Sequence, residues 1–401
     1  MKNIRTNIIR IGICVGKYFL NLIYIFLKII PCKNKIVMLS RQSNKVNIDF
    51  NYIEKEILRR NKNVEVKILC KVLKNGSIAR LEYCFYILKC MYHIATAKVC
   101  ILDGYSIPIS ILKHKKDLKI IQIWHASGAI KKFGYQSINK KEGRGEEISR
   151  IMKMHRNYTY VISPSKATAK FYAEAFSIDE DKIIINGLPR LDYIIGNEES
   201  VNKTEKFYKE YPKYKDKKII LYVPTFRKDF DSSIYIKKLI ENINFSKYDL
   251  IIKLHPLDKS KRLLEYSVDA KYNTYDLIRV ADYIITDYSA VAFETSVLVK
   301  PIYFYVYDIE HYEKSRGLNV NLFEEMKNGT SKNIVEIIQS IENNRYDFGE
   351  LEEFKNKYME DSYYDSTVKL VEFIFKCLEK DIDDEKIKNH IKESRKEKFS
   401  I

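Results

Sequence analysis

Residues 281–305 read ADYIITDYSAVAFETSVLVKPIYFY, and this stretch decides the fold. Its pattern predicts a strand over 283–286, a short polar turn, a helix beginning near Ser289 and then a second strand. A helix that starts just past a strand points unpaired backbone N–H groups and its positive dipole end at one spot, which suits a phosphate. Asp287, Tyr288 and Ser289 stand there, at the strand end where open α/β sheets bind ligands. The alternative is that Asp287 or Ser289 only caps the helix.

The composition is that of a globular protein with room for two domains: 401 residues, 46% hydrophobic and 31% charged. Lysine and arginine (70) outnumber aspartate and glutamate (53), which gives a net charge of +17. Such an excess serves nucleic acid, an anionic membrane or phosphorylated substrates. Because the lysines are dispersed and alternate with acidic residues, we expect a membrane surface and phosphate ligands, and no nucleic acid. Seven cysteines without CxxC spacing predict no disulfide framework, and no cluster of metal ligands is recognisable.

The N-terminal region contains an apolar run over 11–30 that is long enough to span a bilayer. Arg10, Lys17, Asn21 and Lys28 fall on one face of a helix through this run. A spanning helix would bury Lys17 near the middle of the membrane, at a cost of a few kcal/mol. We therefore predict a helix that lies in the membrane interface with its basic stripe toward the headgroups. A helix packed in the core and a true span are the alternatives.

The rest of the chain alternates predicted strands and helices, and most strands are continuous apolar runs. This pattern indicates parallel sheets covered on both faces. We expect the membrane-associating helix over 1–34, one α/β domain over 35–195, a second over 196–377 and a charged tail over 378–401. The second boundary is placed at a polar stretch that follows residue 195.

Polar groups follow several of the predicted strands. His125, in WHASG, is a candidate general base, although a histidine at a strand end is more often a structural hydrogen-bonding group. His255, in KLHP, is held extended by the following proline, and its ring can donate to a phosphate oxygen. Thr225 and Arg227 follow another strand, in PTFR. Arg227 and Arg190 are forked donors suited to phosphate, with a surface ion pair as the alternative.

Glu294 falls on the helix that begins at Ser289. It is expected either to accept hydrogen bonds from a ribose or polyol or only to face solvent. No serine or cysteine sits in a nucleophile elbow, so covalent catalysis is not expected.

Seven motifs in a fixed order resemble those of one family, the CDP-glycerol glycerophosphotransferases, which include the teichoic acid primases and polymerases of Gram-positive cell walls. The motifs are WHASGAIKKFG (124–134), SPSKATAKFYAEAF (163–176), GLPRLD (187–192), LYVPTFRKD (221–229), KLHP (253–256), ADYIITDYSAVAFE (281–294) and KPIYFYVYDIEHYEKSRG (300–317). The resemblance implies an α/β, GT-B-like enzyme with two facing Rossmann-like domains and a central cleft, on the cytoplasmic face of the membrane. The first domain would bind the acceptor and the second the nucleotide donor.

The resemblance also implies roles for individual residues. The WH histidine, His125, would be the base, and His255 would act beside the CDP diphosphate. The donor and its phosphates would be bound by Arg190, Thr225, Arg227, Asp287, Tyr288, Ser289, Glu294 and Arg316. The acceptor-side loop would contain Ser127, Gly128, Lys131 and Lys132. Two departures from the common pattern are WHASG in place of WHGTP and TDYSA in place of TDYSS; the first leaves glycerol phosphate and ribitol phosphate both open.

The predicted reaction is transfer of an alditol phosphate, glycerol phosphate first, from a CDP-activated donor to a hydroxyl of a lipid-linked acceptor. It would release CMP and serve the synthesis of teichoic acid or a related capsular polymer. The alternatives are transfer of ribitol phosphate from CDP-ribitol, a GT-B glycosyltransferase using a nucleotide sugar and, more remotely, a non-catalytic protein that binds polyanions. No cofactor is firmly implied, and a Mg²⁺ requirement, the acceptor and the oligomeric state stay open.

Overall fold

The computed structural model describes residues 2–227 (side chains from residue 10), 230–254, 265–360 and 363–379. The predicted site residue His255 and almost all of the predicted charged tail lie outside these ranges. The first elements in chain order are α1 (Lys2–Leu27), β1 (Lys35–Ser40), α2 (Ile48–Arg60), β2 (Glu65–Cys70), α3 (Ser77–Ala95), β3 (Val99–Leu102), α4 (Ile107–Ile111), β4 (Lys119–Gln122), α5 (Glu146–Ile151), β5 (Tyr160–Ser163), α6 (Lys166–Phe176) and β6 (Ile183–Ile185).

The later elements repeat the alternation. They are α7 (Arg190–Gly196), α8 (Glu198–Glu210), β7 (Lys218–Val223), α9 (Ser233–Asn242), β8 (Tyr248–Ile252), α10 (Thr274–Val280), β9 (Tyr283–Thr286), α11 (Val291–Ser296), β10 (Ile302–Tyr305), α12 (Ile309–Ser315), α13 (Leu322–Glu325), β11 (Thr330–Ser331), α14 (Ile334–Glu342), α15 (Phe348–Met359) and α16 (Ser366–Leu378). The chain forms two compact units. Unit 1 comprises Met1–His125, Phe133–Pro189 and Asp365–Ile401, and unit 2 comprises Ala126–Lys132 and Arg190–Tyr364.

Unit 1 is built on a six-stranded parallel sheet in the order β2-β1-β3-β4-β5-β6. Strands β1 and β3 are buried along their whole length, as expected for a parallel sheet covered on both faces. Helix α16 also packs into this core, through Leu370, Ile374 and Leu378 among others. The predicted division placed this helix in the second domain. It belongs to unit 1 because its apolar face completes the hydrophobic core of the first sheet.

Unit 2 contains a five-stranded parallel sheet in the order β11-β10-β9-β7-β8. Apolar clusters lie on helices α9, α10 and α14 and on the strands that they cover. The carboxyl ends of β7, β9 and β10 lie side by side, as the polar motifs after the predicted strands require. Residues 126–132 join this unit: Asn319 N donates to Ile130 O (2.7 Å) and Lys132 N donates to Gly317 O (3.0 Å).

Helix α1 faces the opposite way from the prediction. Its polar residues bind unit 1: Lys17 Nζ donates to Ile151 O (3.3 Å), Asn21 Nδ2 donates to Ile111 O (3.1 Å) and Arg10 pairs with Glu147 (2.8 Å). The predicted orientation of the basic stripe toward headgroups is therefore wrong, because these groups find acceptors on their own unit. The outward face is apolar and exposes Ile11, Val15, Tyr18, Phe19, Leu22, Ile25 and Phe26. By length and composition the stretch Arg10–Leu27 can cross a membrane.

Candidate active site

His125 lies just beyond the carboxyl end of β4, on an exposed turn. The preceding Trp124 has a φ of +59°, a left-handed conformation that is uncommon for a bulky residue and is found at functional sites. Trp124 N donates to the side-chain Oε1 of Gln122 (2.9 Å), and the indole ring stacks on Phe133. The strained turn is thus held by packing and by a local hydrogen bond, and it carries the chain directly into His125.

The hydrogen bonds of His125 define its tautomer. Its Nδ1 lies 2.9 Å from the carbonyl oxygen of Asp103, which can only accept, so Nδ1 carries the proton and donates. This arrangement puts the basic lone pair on Nε2. The side-chain NH₂ of Gln42 lies 3.2 Å from the same Nδ1, but two donors cannot hydrogen-bond to each other, so with Nδ1 protonated this is a packing contact at the same edge of the sheet. Neither Gln42 nor the role of the Asp103 carbonyl was predicted; both follow strands β1 and β3, and their position after strands was the available signal.

Arg190, Glu294 and Ser127 meet in a buried cluster within unit 2. Arg190 Nη1 and Ser127 Oγ each lie 3.1 Å from Glu294 Oε1, and Arg190 Nη1 also donates to the hydroxyl of Tyr275 (2.6 Å). The Arg190 and Glu294 side chains are only 7% and 3% exposed, so they form a buried ion pair. The alternative that Glu294 faces solvent is therefore wrong. Its predicted contact with a ribose or polyol stays a prediction.

The predicted acceptor-side loop is seated on unit 2 beside this cluster. Gly128 lies against the ring of Phe293 so closely that an added Cβ would stand 2.1 Å from a ring carbon. Farther along, Lys131 forms an antiparallel β-bridge with Leu318, and the carbonyl of Lys132 accepts from Arg316 Nε (3.2 Å). Arg316 is thereby joined to Lys132, one of the two predicted loop lysines.

Arg227 and Asp287 form a second buried network, together with Asp308. Arg227 Nε and Nη2 donate to the two carboxylate oxygens of Asp308 (2.6 and 2.8 Å), while Nη1 donates to Asp287 Oδ2 (2.8 Å) and to Thr225 O (2.8 Å). Burial opposes the charge on Arg227, but the carboxylates of Asp287 and Asp308 outweigh it and raise its pKa above the ordinary value. The guanidinium thus already holds two carboxylates. The pair is a buried one rather than the surface pair considered from sequence.

The turn after β9 is organised by the same network. Asp287 accepts from the backbone N–H of Thr225 (3.0 Å), and the buried Tyr288 donates its hydroxyl to Asp308 (3.1 Å). Asp287 therefore links two strand ends and does not cap the helix. Ser289 Oγ accepts from Val291 N (3.3 Å), as the capping alternative expects.

Helix α11 starts two residues after Ser289, near the predicted start, and has six residues. A helix this short contributes a weaker dipole to phosphate binding than a longer helix would. Asp308, which was not predicted, follows β10 in the motif YVYDIEHYE. Its position as a polar residue shortly after the fourth strand of this sheet could have indicated it from the sequence.

The structure brings together the unit 2 predictions in three groups: Arg190 with Glu294 and Ser127; Arg227 with Thr225, Asp287 and Tyr288; Arg316 with Lys132. His125 is part of unit 1. Within the described ranges, no three His, Cys, Asp or Glu side chains are arranged to hold a metal ion.

Comparison with known proteins assigns the chain to a family. Residues 22–376 match the model of CDP-glycerol:poly(glycerophosphate) glycerophosphotransferase. The chain belongs to this family. It is 31% identical to the teichoic acid ribitol-phosphate primase of Bacillus spizizenii over 85% of this chain and 90% of that protein. It is 30% identical to the teichoic acid glycerol-phosphate primase of Bacillus subtilis over 89% of this chain and 96% of that protein.

The glycerophosphotransferase fold is also found among solved structures. The wall teichoic acid polymerase TagF superposes with a TM-score of 0.69 at 20% identity, covering 95% of this chain and 98% of that one. A putative UDP-N-acetylglucosamine 2-epimerase from Listeria monocytogenes superposes with a TM-score of 0.56 at 12% identity, covering 88% of this chain and 98% of that one. The predicted GT-B-like α/β class is confirmed. The chain is an enzyme of the CDP-alditol alditolphosphotransferase class, which sets aside the glycosyltransferase and non-catalytic alternatives.

Proposed function

We propose that this enzyme transfers glycerol phosphate from CDP-glycerol to a hydroxyl of a lipid-linked acceptor, with His125 as the general base. The observation that carries the proposal is the tautomer of His125: the Asp103 carbonyl fixes the proton on Nδ1, so Nε2 is the basic nitrogen. A neutral imidazole held in one orientation on an exposed turn is suited to accept a proton from an incoming hydroxyl.

The reaction then proceeds by in-line displacement. The acceptor oxygen forms a bond to the β-phosphorus, the bond from that phosphorus to the CMP oxygen breaks, and the hydroxyl proton passes to His125 Nε2. Catalysis of this kind depends on positioning and on stabilisation of the charge that develops on the phosphoryl oxygens and the leaving group.

On the donor side, the turn around Ser289 is proposed to hold the CDP diphosphate, as the sequence predicted. Two observations support this proposal. The Thr225 hydroxyl is buried and has no hydrogen-bond partner among the described residues, although a buried hydroxyl usually has one. The adjacent network of Arg227, Asp287 and Asp308 fixes the backbone on which Thr225 and Ser289 stand. In this arrangement Arg227 acts on the donor through the loops that it joins.

Ribitol phosphate is the second candidate for the transferred group. The reason is specific: the chain is as similar to the ribitol-phosphate primase of Bacillus spizizenii as to the glycerol-phosphate primase of Bacillus subtilis. The acceptor-side loop, in which WHASG replaces WHGTP, is where we expect the two alditols to be distinguished.

We further propose that the enzyme binds the cytoplasmic face of the membrane through α1. The outward apolar face of that helix supports the proposal, since its exposed aromatic and aliphatic side chains gain free energy on leaving water. Next to α1, helix α3 also exposes Ile78, Leu81 and Phe85. In this orientation Arg10 and Lys17 fasten the helix to the rest of unit 1, and the apolar side chains enter the membrane.

The test is a donor panel. Purified enzyme is incubated with a lipid-linked acceptor and either CDP-glycerol or CDP-ribitol, and CMP release and product mass are measured. We expect CMP release with CDP-glycerol and a mass increase of one or more glycerol phosphate units; turnover of CDP-ribitol alone would replace the first candidate with the second. His125→Ala should lower turnover by about 10²–10⁴-fold while CDP binding persists. Near-normal turnover of that variant would remove His125 from the mechanism.

A further inference from the structure

Arg41 is a half-buried cation whose hydrogen-bonding capacity is largely unused. It follows the last residue of β1, at the carboxyl end of that strand. Its Nε is buried and has no hydrogen-bond partner within the part of the chain that the structure describes. Nη1 reaches the carbonyl of Tyr105 only at 3.4 Å. A guanidinium has five donors, and burying a charge without a partner costs free energy, so this arrangement requires an explanation.

A second arginine stands against the same tyrosine. The guanidinium carbon of Arg144 lies 5.0 Å from the centre of the Tyr105 ring, and that of Arg41 lies 5.7 Å from it. Neither arginine forms an ion pair with a described residue. The Asp103 carboxylate at this edge of the sheet accepts from Asn47 (2.8 Å).

Tyr105 itself does not neutralise the two arginines. Burial raises the pKa of its hydroxyl to about 12, although Arg144 and Arg41 both act to lower it. The hydroxyl is therefore uncharged at neutral pH. The two cations lie within 6 Å of the same ring and have no ion-pair partner among the described residues, so a bound anion would offset their charge.

The position of Arg41 and Arg144 in unit 1 indicates which anion they bind. Gln42, the residue after Arg41, contacts His125. Gly104, the residue before Tyr105, lies so close to the same ring that an added Cβ would stand 3.9 Å from His125 Nδ1. The arginines thus share the edge of the unit 1 sheet at which the candidate base stands. Arg41 also lies over Tyr83, on the buried inner face of α3. The substrate that a general base at this edge must meet is the acceptor, so the anion expected beside it is a phosphate that the acceptor carries.

We propose that Arg41 and Arg144 bind a phosphate of the lipid-linked acceptor and so hold its hydroxyl toward His125. This site deepens the proposed function and rests on it. Arginine suits the role because its planar fork binds two phosphate oxygens at once. The arginines bind substrate and take no proton; His125 remains the base.

Binding can be measured without turnover, because Trp124 is the sole tryptophan of the chain and lies beside the site. Its ring centre is 5.9 Å from that of His155, which is 5.7 Å from that of Tyr105. Full-length enzyme without donor is titrated with a short-chain isoprenyl phosphate and with the corresponding alcohol, and Trp124 fluorescence is followed. The variants are Arg41→Gln and Arg144→Gln.

The matched control is Arg80→Gln, the same change at an exposed position of α3. Each test variant should weaken phosphate binding at least tenfold, which corresponds to about 1.4 kcal/mol, and leave alcohol binding unchanged. The control should change neither. Equal phosphate affinity in all proteins, or the same loss in Arg80→Gln, would overturn the proposal. Since Arg144 is exposed, its variant keeps the test valid even if Arg41→Gln fails to fold.

Steady-state kinetics with a soluble acceptor analogue identify the source of the phosphate. We expect the acceptor KM to rise at least tenfold in the test variants, while kcat and the donor KM stay within about twofold. A rise in the donor KM would assign the site to CDP-alditol. Loss of binding to phosphatidylglycerol vesicles with an unchanged acceptor KM would assign it to a membrane headgroup. Either result would overturn the acceptor assignment, whereas a wild-type enzyme that releases no CMP from either donor would refute the proposed function instead.

Discussion

Removal of one carboxylate from the Arg227 network tests whether this buried charge cluster holds unit 2 together. Asp308→Asn preserves side-chain volume but replaces two anionic acceptors with one neutral oxygen and an NH₂ group. Arg227 Nε and Nη2 would then face a partner that can accept only one good hydrogen bond. The Tyr288 hydroxyl would lose the charge on its acceptor at the same time.

The expected magnitude follows from burial. The Arg227 and Asp308 side chains are 3% and 1% exposed, so water cannot replace the lost partner. Breaking a buried pair on one side costs about 3–5 kcal/mol. For a unit of this size each kcal/mol lowers the melting temperature by roughly 2–4 °C, so the transition of unit 2 should fall by about 10 °C.

Differential scanning calorimetry measures the shift, with Glu310→Gln as the control. Glu310 pairs with Lys332 in solvent, and its replacement should leave the transition unchanged. The triple variant Arg227→Met/Asp287→Asn/Asp308→Leu should recover much of the loss, because it removes all three buried charges and leaves an amide oxygen at position 287 to accept from Thr225 N. If Asp308→Asn melts like the control, the network does not hold unit 2 together.

The remaining predictions concern packing, pH and the membrane. Gly128→Ala should destabilise unit 2 by about 1–3 kcal/mol, because the new Cβ meets a phenyl ring, whereas Gly145→Ala, with open space around it, should not; thermal melting compares them. Burial lowers the pKa of His114 to about 4, and its Nδ1 accepts from the hydroxyl of Tyr24 on α1 (3.0 Å). The folded protein therefore binds this proton more weakly than the unfolded chain, so the contribution of neutral His114 is present above pH 6.5 and is lost as the pH falls toward 4. Hydrogen exchange should show α1 losing protection over that interval in the wild type but not in His114→Phe; equal profiles would contradict this. Phe26→Asp on the exposed face of α1 should weaken binding to anionic vesicles about tenfold or more in a flotation assay, and unchanged binding would count against α1 as the anchor.

Strand positions and the family were accessible from sequence because their signals are local. Strand Tyr283–Thr286 occupies the predicted residues, since it is a short apolar run bounded by polar residues. The order of seven motifs was enough to indicate the glycerophosphotransferases. Because parallel strands align their carboxyl ends, the sequence also predicted that Thr225, Arg227 and Asp287 would meet.

Only the tertiary structure decided which partner each polar group takes. Arg227 and Asp308 are 81 residues apart and Ser127 and Glu294 are 167 apart, and no local pattern encodes such pairs. The orientation of α1 and the return of α16 to unit 1 depend on surfaces that exist only after the sheets form. A side chain's type limits the bonds that it can make, and a short stretch of chain sets the local backbone. The bond that it does make depends on which distant residues the fold brings within hydrogen-bond distance, and at Arg227 those residues are the buried carboxylates of Asp287 and Asp308.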